Sequence, residues 1–366
     1  MVAKKNQAGR APEAALDIEH GASNSEPLLA DVAAAAGVST ATVSRYLNDP
    51  HKVSAKTHAR VRAAVEQLGW IPNAAARSLV SRRSNAVGVV VPTLMHEKFH
   101  QQVQAFQAEM GKHGFSVFVS CSGYDPSEGY RQARSLLSRG VDALALLGDD
   151  FPPELFSTLH QRQTPFVITF GAREGSEHPC VGFDQYAAYE SLTRYLLSLG
   201  HTRIGLVFHT AVDNARTQAR LKGVFDTLAR EGLAVRPQHM QTMTTRDLVG
   251  RIPFARAAVR AMLAERPAPT AIMCGNDVLA LGALLEAKAA GIDVPGQLSI
   301  TGFDDNEIAA ELSPALTTIR VPDLEIGALA AEYLLERIAG RSPTPPAMLD
   351  VLLIKRGSTG PAPQAL

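Results

Sequence analysis

Seven short apolar runs constrain the fold more than any other feature: "AVGVVVP", "FSVFVSC", "DALALLG", "PFVITF", "RIGLVF", "TAIMCG" and "LSITGF". All lie after Asn85. Between them come amphipathic stretches with helical spacing, at 98–113, 126–139, 186–200, 215–232, 249–265 and 276–291. Continuous apolar strands separated by helices mean parallel sheets covered on both faces, because each crossover lays a helix on the sheet. The set is too large for one sheet, so the expectation is two parallel αβα sandwiches forming two lobes.

The residues before Asn85 have another character. "PLLADVAAAAG" places Leu28, Val32 and Ala36 on one stripe and stops at Gly37, a residue suited to a left-handed helix end. A second helix starts at Ser39 as N-cap. A third, "SAKTHARVRAAVEQLG", takes Ser54 as cap, turns Val61, Val65 and Leu68 inward and ends at Gly69. "WIPNAAARSLVSRRSN" then breaks at Pro72 and offers Asn73 as a cap for about two further turns. Residues 1–27 read as a disordered tail without an apolar signal region.

Charge separates the two parts. The 366-residue chain has a formal net charge of zero. From Leu28 to Asn85, however, eight Lys/Arg (Arg45, Lys52, Lys56, Arg60, Arg62, Arg77, Arg82, Arg83) face three acids (Asp31, Asp49, Glu66). A small basic helical module joined to a larger, mildly acidic one points to a polyanion partner for the first alone. Two helices joined by "AGVS" fit a helix-turn-helix. With Val38, Val43 and Leu47 inward, Thr40, Ala41, Ser44, Arg45 and Asn48 face out. Hydroxyls and first-turn amides suit phosphate, and Arg45 suits guanine O6/N7 in the major groove. The competing reading is a capped surface helix with a solvated arginine.

The segment "LADVAAAAGVSTATVSRYLNDPHKVSAKTHARVRAAVEQLGWIPNAAARSL" resembles the DNA-binding end of the lactose-repressor (LacI) family of transcriptional regulators. Downstream, "AIMCGNDVLALGALLEAKAAGIDVPGQLSITGFDD" and "SPALTTIRVP" resemble that family's effector-binding core, so the likeness runs from about Leu28 to Gly340. It implies an all-α helix-turn-helix domain (28–72), a hinge helix and linker (73–85) and a periplasmic-binding-protein-like core (86–366). The core's lobes would be 86–184 with 322–348, and 185–320 with 349–366. It implies that Thr40, Ala41 and Arg45 read bases, with Ser39, Thr42 and Ser44 near phosphates. Asn73, Ala76, Arg77 and Leu79 would belong to a hinge helix that forms on operator DNA. A segment that short is unstable alone. Leu79 would wedge into a minor-groove base step, at a cost of a few kcal/mol offset by the contacts the kink allows. A homodimer on a pseudo-palindromic site follows.

In the core, the resemblance places Lys98, Phe99, Phe170, Arg216, Arg220, Asn276 and Asp304 at an effector cleft. Each charged residue has a plainer alternative: Lys98 solvated at a helix start, Arg216 paired with Asp213, Asp304 capping the next helix. If Lys98, Arg216 and Arg220 converge, the cleft is cationic, and its ligand is a sugar acid or another small carboxylate. "CSGYDPSEG" and "ARTQ" also resemble gluconate-type repressors.

The chain is 46% hydrophobic and 20% charged, which suits a globular protein. Cys121, Cys180 and Cys274 are scattered and suit a reducing cytoplasm. No P-loop, Rossmann glycine fingerprint, G-x-S-x-G elbow or metal-spaced His/Cys set occurs, so neither an enzyme, a metal nor a cofactor is expected. A transport-type solute-binding protein is the alternative. It would share the core but needs a signal peptide and no basic helix-turn-helix. The polar C-terminal "RGSTGPAPQAL" reads as a tail without a heptad helix.

Overall fold

The computed structural model describes residues 27–73, 83–171, 176–209, 214–244, 249–344 and 348–363. The chain divides into two compact units between Arg77 and Ser78.

The first unit contains α1 (Leu29–Ala36), α2 (Thr40–Asn48) and α3 (Ala55–Leu68). Gly37 ends α1 at φ 60°, a conformation that costs glycine little, and its carbonyl accepts from Arg60 Nη2 at 3.0 Å. Ser39 Oγ accepts the Thr42 amide at 3.2 Å and Ser54 Oγ the Thr57 amide at 3.3 Å. Both serines thus satisfy helix-end amides that lack an intrahelical partner. Val32, Ala33, Ala36, Val43, Val61, Ala64 and Trp70 form the core. Leu28 departs from the expected inward stripe. It precedes the first helical turn, where its direction is not fixed by the helix period, and it is 67% exposed. Trp70, just past α3, supplies the missing bulk. Val65 and Leu68 are only half-buried.

The second unit begins with a parallel sheet in the order β2-β1-β3-β4-β5. Its strands are β1 (Ala86–Val91), β2 (Ser116–Cys121), β3 (Ala143–Leu147), β4 (Phe166–Thr169) and β5 (Cys180–Val181). The connecting helices are α4 (Glu97–Lys112), α5 (Pro126–Ser138) and α6 (Pro153–Gln161). β1 and β3 are buried along their whole length, as continuous apolar runs require. β2 is an edge strand and exposes Phe118 and Val119.

Next come α7 (Gln185–Ser198), β6 (Ile204–His209), α8 (Ala215–Arg230), β7 (Met240–Met243) and α9 (Arg251–Ala264). They are followed by β8 (Ala271–Cys274), α10 (Asp277–Ala289), β9 (Ser299–Thr301) and α11 (Glu307–Glu311). Their parallel sheet has the order β7-β6-β8-β9. After β10 (Thr318–Arg320), α12 (Asp323–Ile338) returns to pack on α4 of the first sandwich. β11 (Leu352–Ile354) pairs antiparallel with β10.

The seven apolar runs are all strands. β5, β7, β10 and β11 escape the sequence pattern because they are two to four residues long and mostly half-exposed or polar. The C-terminal segment is no free tail. Ser358 is fully buried and donates to the Ile300 carbonyl at 2.6 Å, and the Ala362 amide donates to Leu199 at 2.8 Å. Its polar groups complete hydrogen bonds of the second sandwich, so polarity there signals pairing and not solvation.

Candidate functional site

Two polar surfaces stand out, one in each unit. On α2, Val43 is fully buried, and this anchors the helix so that Ser39, Thr40, Ala41 and Arg45 are exposed while Thr42 and Ser44 are half-buried. The Ser39 and Thr42 hydroxyls lie 2.9 Å apart at the helix N-terminus. An exposed N-terminal turn with hydroxyls, and an arginine one turn further along, matches the donor geometry that nucleic-acid phosphates and guanine edges accept. Asn48 closes the helix; its side chain lies outside the described ones. Asn73 is exposed. Ala76, Arg77 and Leu79 lie outside the described residues.

The second surface is a cleft at the carboxyl ends of the strands, where open parallel sheets place ligand sites. About 570 Å³ of space, open to solvent, lies among side chains from both sandwiches. The first contributes His96, Phe99, Tyr124 and Phe170; the second contributes Phe208, His209, Asn214, Arg216, Thr217, Arg220, Asn276 and Asp304. Six of the seven expected residues are therefore brought together. Lys98 is not among them. It is buried and turned to Asp323, with Nζ 3.7 Å from Oδ1, and it donates to Gln101 Oε1 at 3.2 Å. Neither a solvated helix start nor a third cleft cation describes it. Its neighbour Phe99 lines the cleft as expected, and the two part because adjacent helical residues point about 100° apart.

Arg220 is the best-fixed cation of the cleft. Its Nε donates to Gln185 Oε1 at 2.6 Å and its Nη1 to the Gly275 carbonyl at 3.2 Å. Its guanidinium sits 3.9 Å from the Phe303 ring centroid, a cation–π contact. Gln185 in turn donates to the Phe170 carbonyl at 2.9 Å, so one chain of hydrogen bonds ties the arginine to the aromatic wall. Phe170 meets Phe99 edge-on at 5.2 Å. Burial lowers the Arg220 pKa, against the pull of Tyr189 and Asp304. Arg216, on the same helix, is buried and pairs with Asp150; Asp213, the partner the sequence offered, lies outside the described residues.

Asp304 is buried at φ 114°. It caps no helix: the N-cap of α11 is Asn306. Burial, then Asp277, raise its carboxyl well above the usual range, opposed by Arg220 and Lys98. His96 Nε2 lies 3.4 Å from Asp304 Oδ2, and its ring stacks on Phe99 at 4.4 Å. Burial, reinforced by Arg251, Arg220, Arg216 and Lys98, pulls the imidazole down to about 3. The imidazole is thus held neutral beside a carboxyl whose hold on its proton is strengthened by burial. Asn276 Oδ1 caps α10 through the Leu279 amide at 2.9 Å, and Asn214 Oδ1 caps α8 through Thr217 at 3.0 Å. Asp277 accepts from Thr318 Oγ1 and the Asn306 amide, each at 2.7 Å, and so holds the loop that carries Asp304.

Sequence reasoning missed His96, Tyr124, Phe208, His209, Asn214 and Thr217. Asn214 carried a signal, an Asx residue before a helix whose side chain can cap it. The aromatics carried none, because strand-end rings look like core residues until a second sandwich faces them. Among the described residues no cluster of His, Cys, Asp and Glu could hold a metal ion, and no helix is long and apolar enough to cross a membrane.

Residues 28–73 match the family described as bacterial regulatory proteins, lacI family, and residues 193–359 the periplasmic binding protein-like domain. The HTH-type transcriptional regulator GntR of Escherichia coli (strain K12) is 31% identical over 89% of this chain and 96% of its own length. The HTH-type transcriptional repressor CytR of the same organism is 32% identical over 91% and 96%. Among solved structures, the lac repressor dimer bound to operator and the anti-inducer ONPF matches 91% of this chain and 99% of its own. Its TM-score is 0.76, at 27% identity.

Proposed function

The chain belongs to the lacI family of bacterial regulatory proteins, and from that premise we infer a repressor that grips its operator through α2 and releases or tightens that grip when a small acidic ligand enters the cleft. The observation that carries the acidic ligand is the placement of two arginines, Arg216 and Arg220, on one helix face in the lining of the cleft. Arginine forks match carboxylate and phosphate oxygens bidentately, and Phe99 and Phe170 offer an apolar wall for a carbon skeleton. With Lys98 engaged by Asp323, Arg220 is the principal anion ligand. Thr40, Ala41 and Arg45 are the base-reading residues, Ser39, Thr42 and Ser44 the phosphate-facing ones. Asn48, Asn73, Ala76, Arg77 and Leu79 complete the DNA contact set, with Leu79 as the minor-groove wedge. A homodimer places two α2 helices on two half-sites; the lac repressor solved on its operator is a dimer. Ligand binding shifts the lobe arrangement only by its differential affinity for the two states.

The test is a thermal-shift panel of sugar acids against matched neutral sugars, followed by fluorescence anisotropy on an operator obtained by binding-site selection. Acids that stabilise the protein and change operator affinity are expected. Stabilisation by neutral sugars alone refutes the acidic-ligand reading, and failure to select any DNA sequence refutes the operator reading.

A further inference from the structure

Asp150 lies in the loop after β3, in the first sandwich, and it reaches across the cleft to the start of α8 in the second. Its Oδ2 accepts from Arg216 Nη1 at 3.0 Å and its Oδ1 from the Ala215 amide at 2.8 Å. The Arg216 side chain is 6% exposed and that of Asp150 20%. Gly148, two residues before Asp150, gives the same contact its room. It has φ 84°, and a Cβ built there would overlap the Arg216 guanidinium. The guanidinium therefore packs against Gly148 of one sandwich while its helix belongs to the other.

We propose that Asp150 and Arg216 form a latch between the two sandwiches, in which the Asp150 carboxylate holds the place that an acidic ligand group takes. A carboxylate fixed by one guanidinium and one helix-start amide has the same chemistry as a bound anion. The latch binds α8 to the first sandwich, and an acid that reaches Arg216 must displace Asp150 to form its own pair. The second half of the proposal rests on the acidic-ligand reading; the latch itself does not.

Asp150→Asn is the informative variant, because it keeps an oxygen for the Ala215 amide and removes the charge that Arg216 needs. Spin labels at Ser157 and Lys288, both exposed, report the separation of the sandwiches in a Cys121→Ser, Cys180→Ser background. The ligand-free protein is expected to give one narrow distance population. Asp150→Asn and Gly148→Ala are both expected to broaden and lengthen it. The exchanged pair Asp150→Arg with Arg216→Asp is expected to narrow it again. Unchanged distances in both single variants overturn the latch. Calorimetric titration with D-gluconate tests the displaced anion: Asp150→Asn is expected to bind it about tenfold more tightly than the parent. Equal or weaker binding overturns the stand-in role of Asp150. Binding of neutral sugars but of no acid refutes the ligand class, and the distances then still decide the latch.

Discussion

The face of α2 and the cleft of the second unit carry their polar side chains under opposite rules. On α2 the polar groups are exposed, and a small apolar core of Val32, Val43, Val61 and Trp70 holds the helix from behind. In the cleft, Arg216, Asn276 and Asp304 are themselves buried, so each needs a partner within the protein before any ligand arrives. The first surface is ready for a large polyanion and costs little to leave solvated. The second is a set of buried polar groups, several already engaged within the protein, that a ligand must exchange. A DNA-binding transcriptional regulator of the lacI family thus has one site that tolerates change one residue at a time and one that does not.

The largest expected effect breaks the comparison at its weakest support. Trp70→Ala removes the bulkiest member of the small core, a change worth about 3–5 kcal/mol, and small domains hold little more than that in total. Residues up to Arg77 form a compact unit of their own, so the first unit is expected to unfold while the second keeps its melting transition and its ligand binding. Two-probe thermal denaturation checks this; a joint loss of both transitions refutes the independence of the units.

Arg220→Met tests the other side. Truncating one partner of a buried charge pair costs about 2–5 kcal/mol, and here Gln185 and the Gly275 carbonyl also lose their donor. Calorimetry is expected to show the acid's affinity falling at least about 30-fold, with operator affinity of the ligand-free protein unchanged. Arg45→Ala is milder. It should remove about 1–3 kcal/mol of discrimination at one base position per half-site, read by binding-site selection. An unchanged consensus would assign Arg45 to the phosphates.

The two surfaces also differed in how far they could be read from residues alone. The α2 face is local: Ser39, Val43 and Leu47 set the helix period, and that period leaves Thr40, Ala41 and Arg45 outward whatever the rest of the chain does. The apolar runs of β1 and β3 were equally plain, because a strand buried on both faces needs no polar residue. The cleft is built from segments as distant as His96 and Asp304, and family position supplied only part of it. Lys98 shows the limit. Of the adjacent pair Lys98 and Phe99 only the phenylalanine lines the cleft, and the partner of Lys98, Asp323, lies on a helix that returns from far downstream. Asp150 gave no sign of its role because Arg216 is 66 residues away.

The smallest expected effect concerns His96. Its ordinary value is 6.5, and in the fold burial and the cleft cations hold it near 3. The folded state thus refuses a proton that the unfolded chain accepts. The stability this neutral imidazole allows is intact above about pH 6.5 and falls as the pH drops toward 3. One pKa unit is worth about 1.4 kcal/mol, so at pH 5.5 the second unit should have lost roughly 1.4 kcal/mol through His96 relative to pH 7.5. His96→Leu removes that loss. Urea unfolding of the parent and the variant at both pH values is expected to bring the parent down by about 1.4 kcal/mol relative to the variant on acidification. The remaining histidines titrate in both proteins and cancel. Asp304, 3.4 Å from His96, does not cancel by itself, because its carboxyl moves in the opposite sense. The same pair of measurements in an Asp304→Asn background separates the two. If the pH dependence is the same with and without His96, the imidazole takes up its proton as readily in the folded cleft as in the unfolded chain, and at pH 5.5 a cation stands beside Arg220.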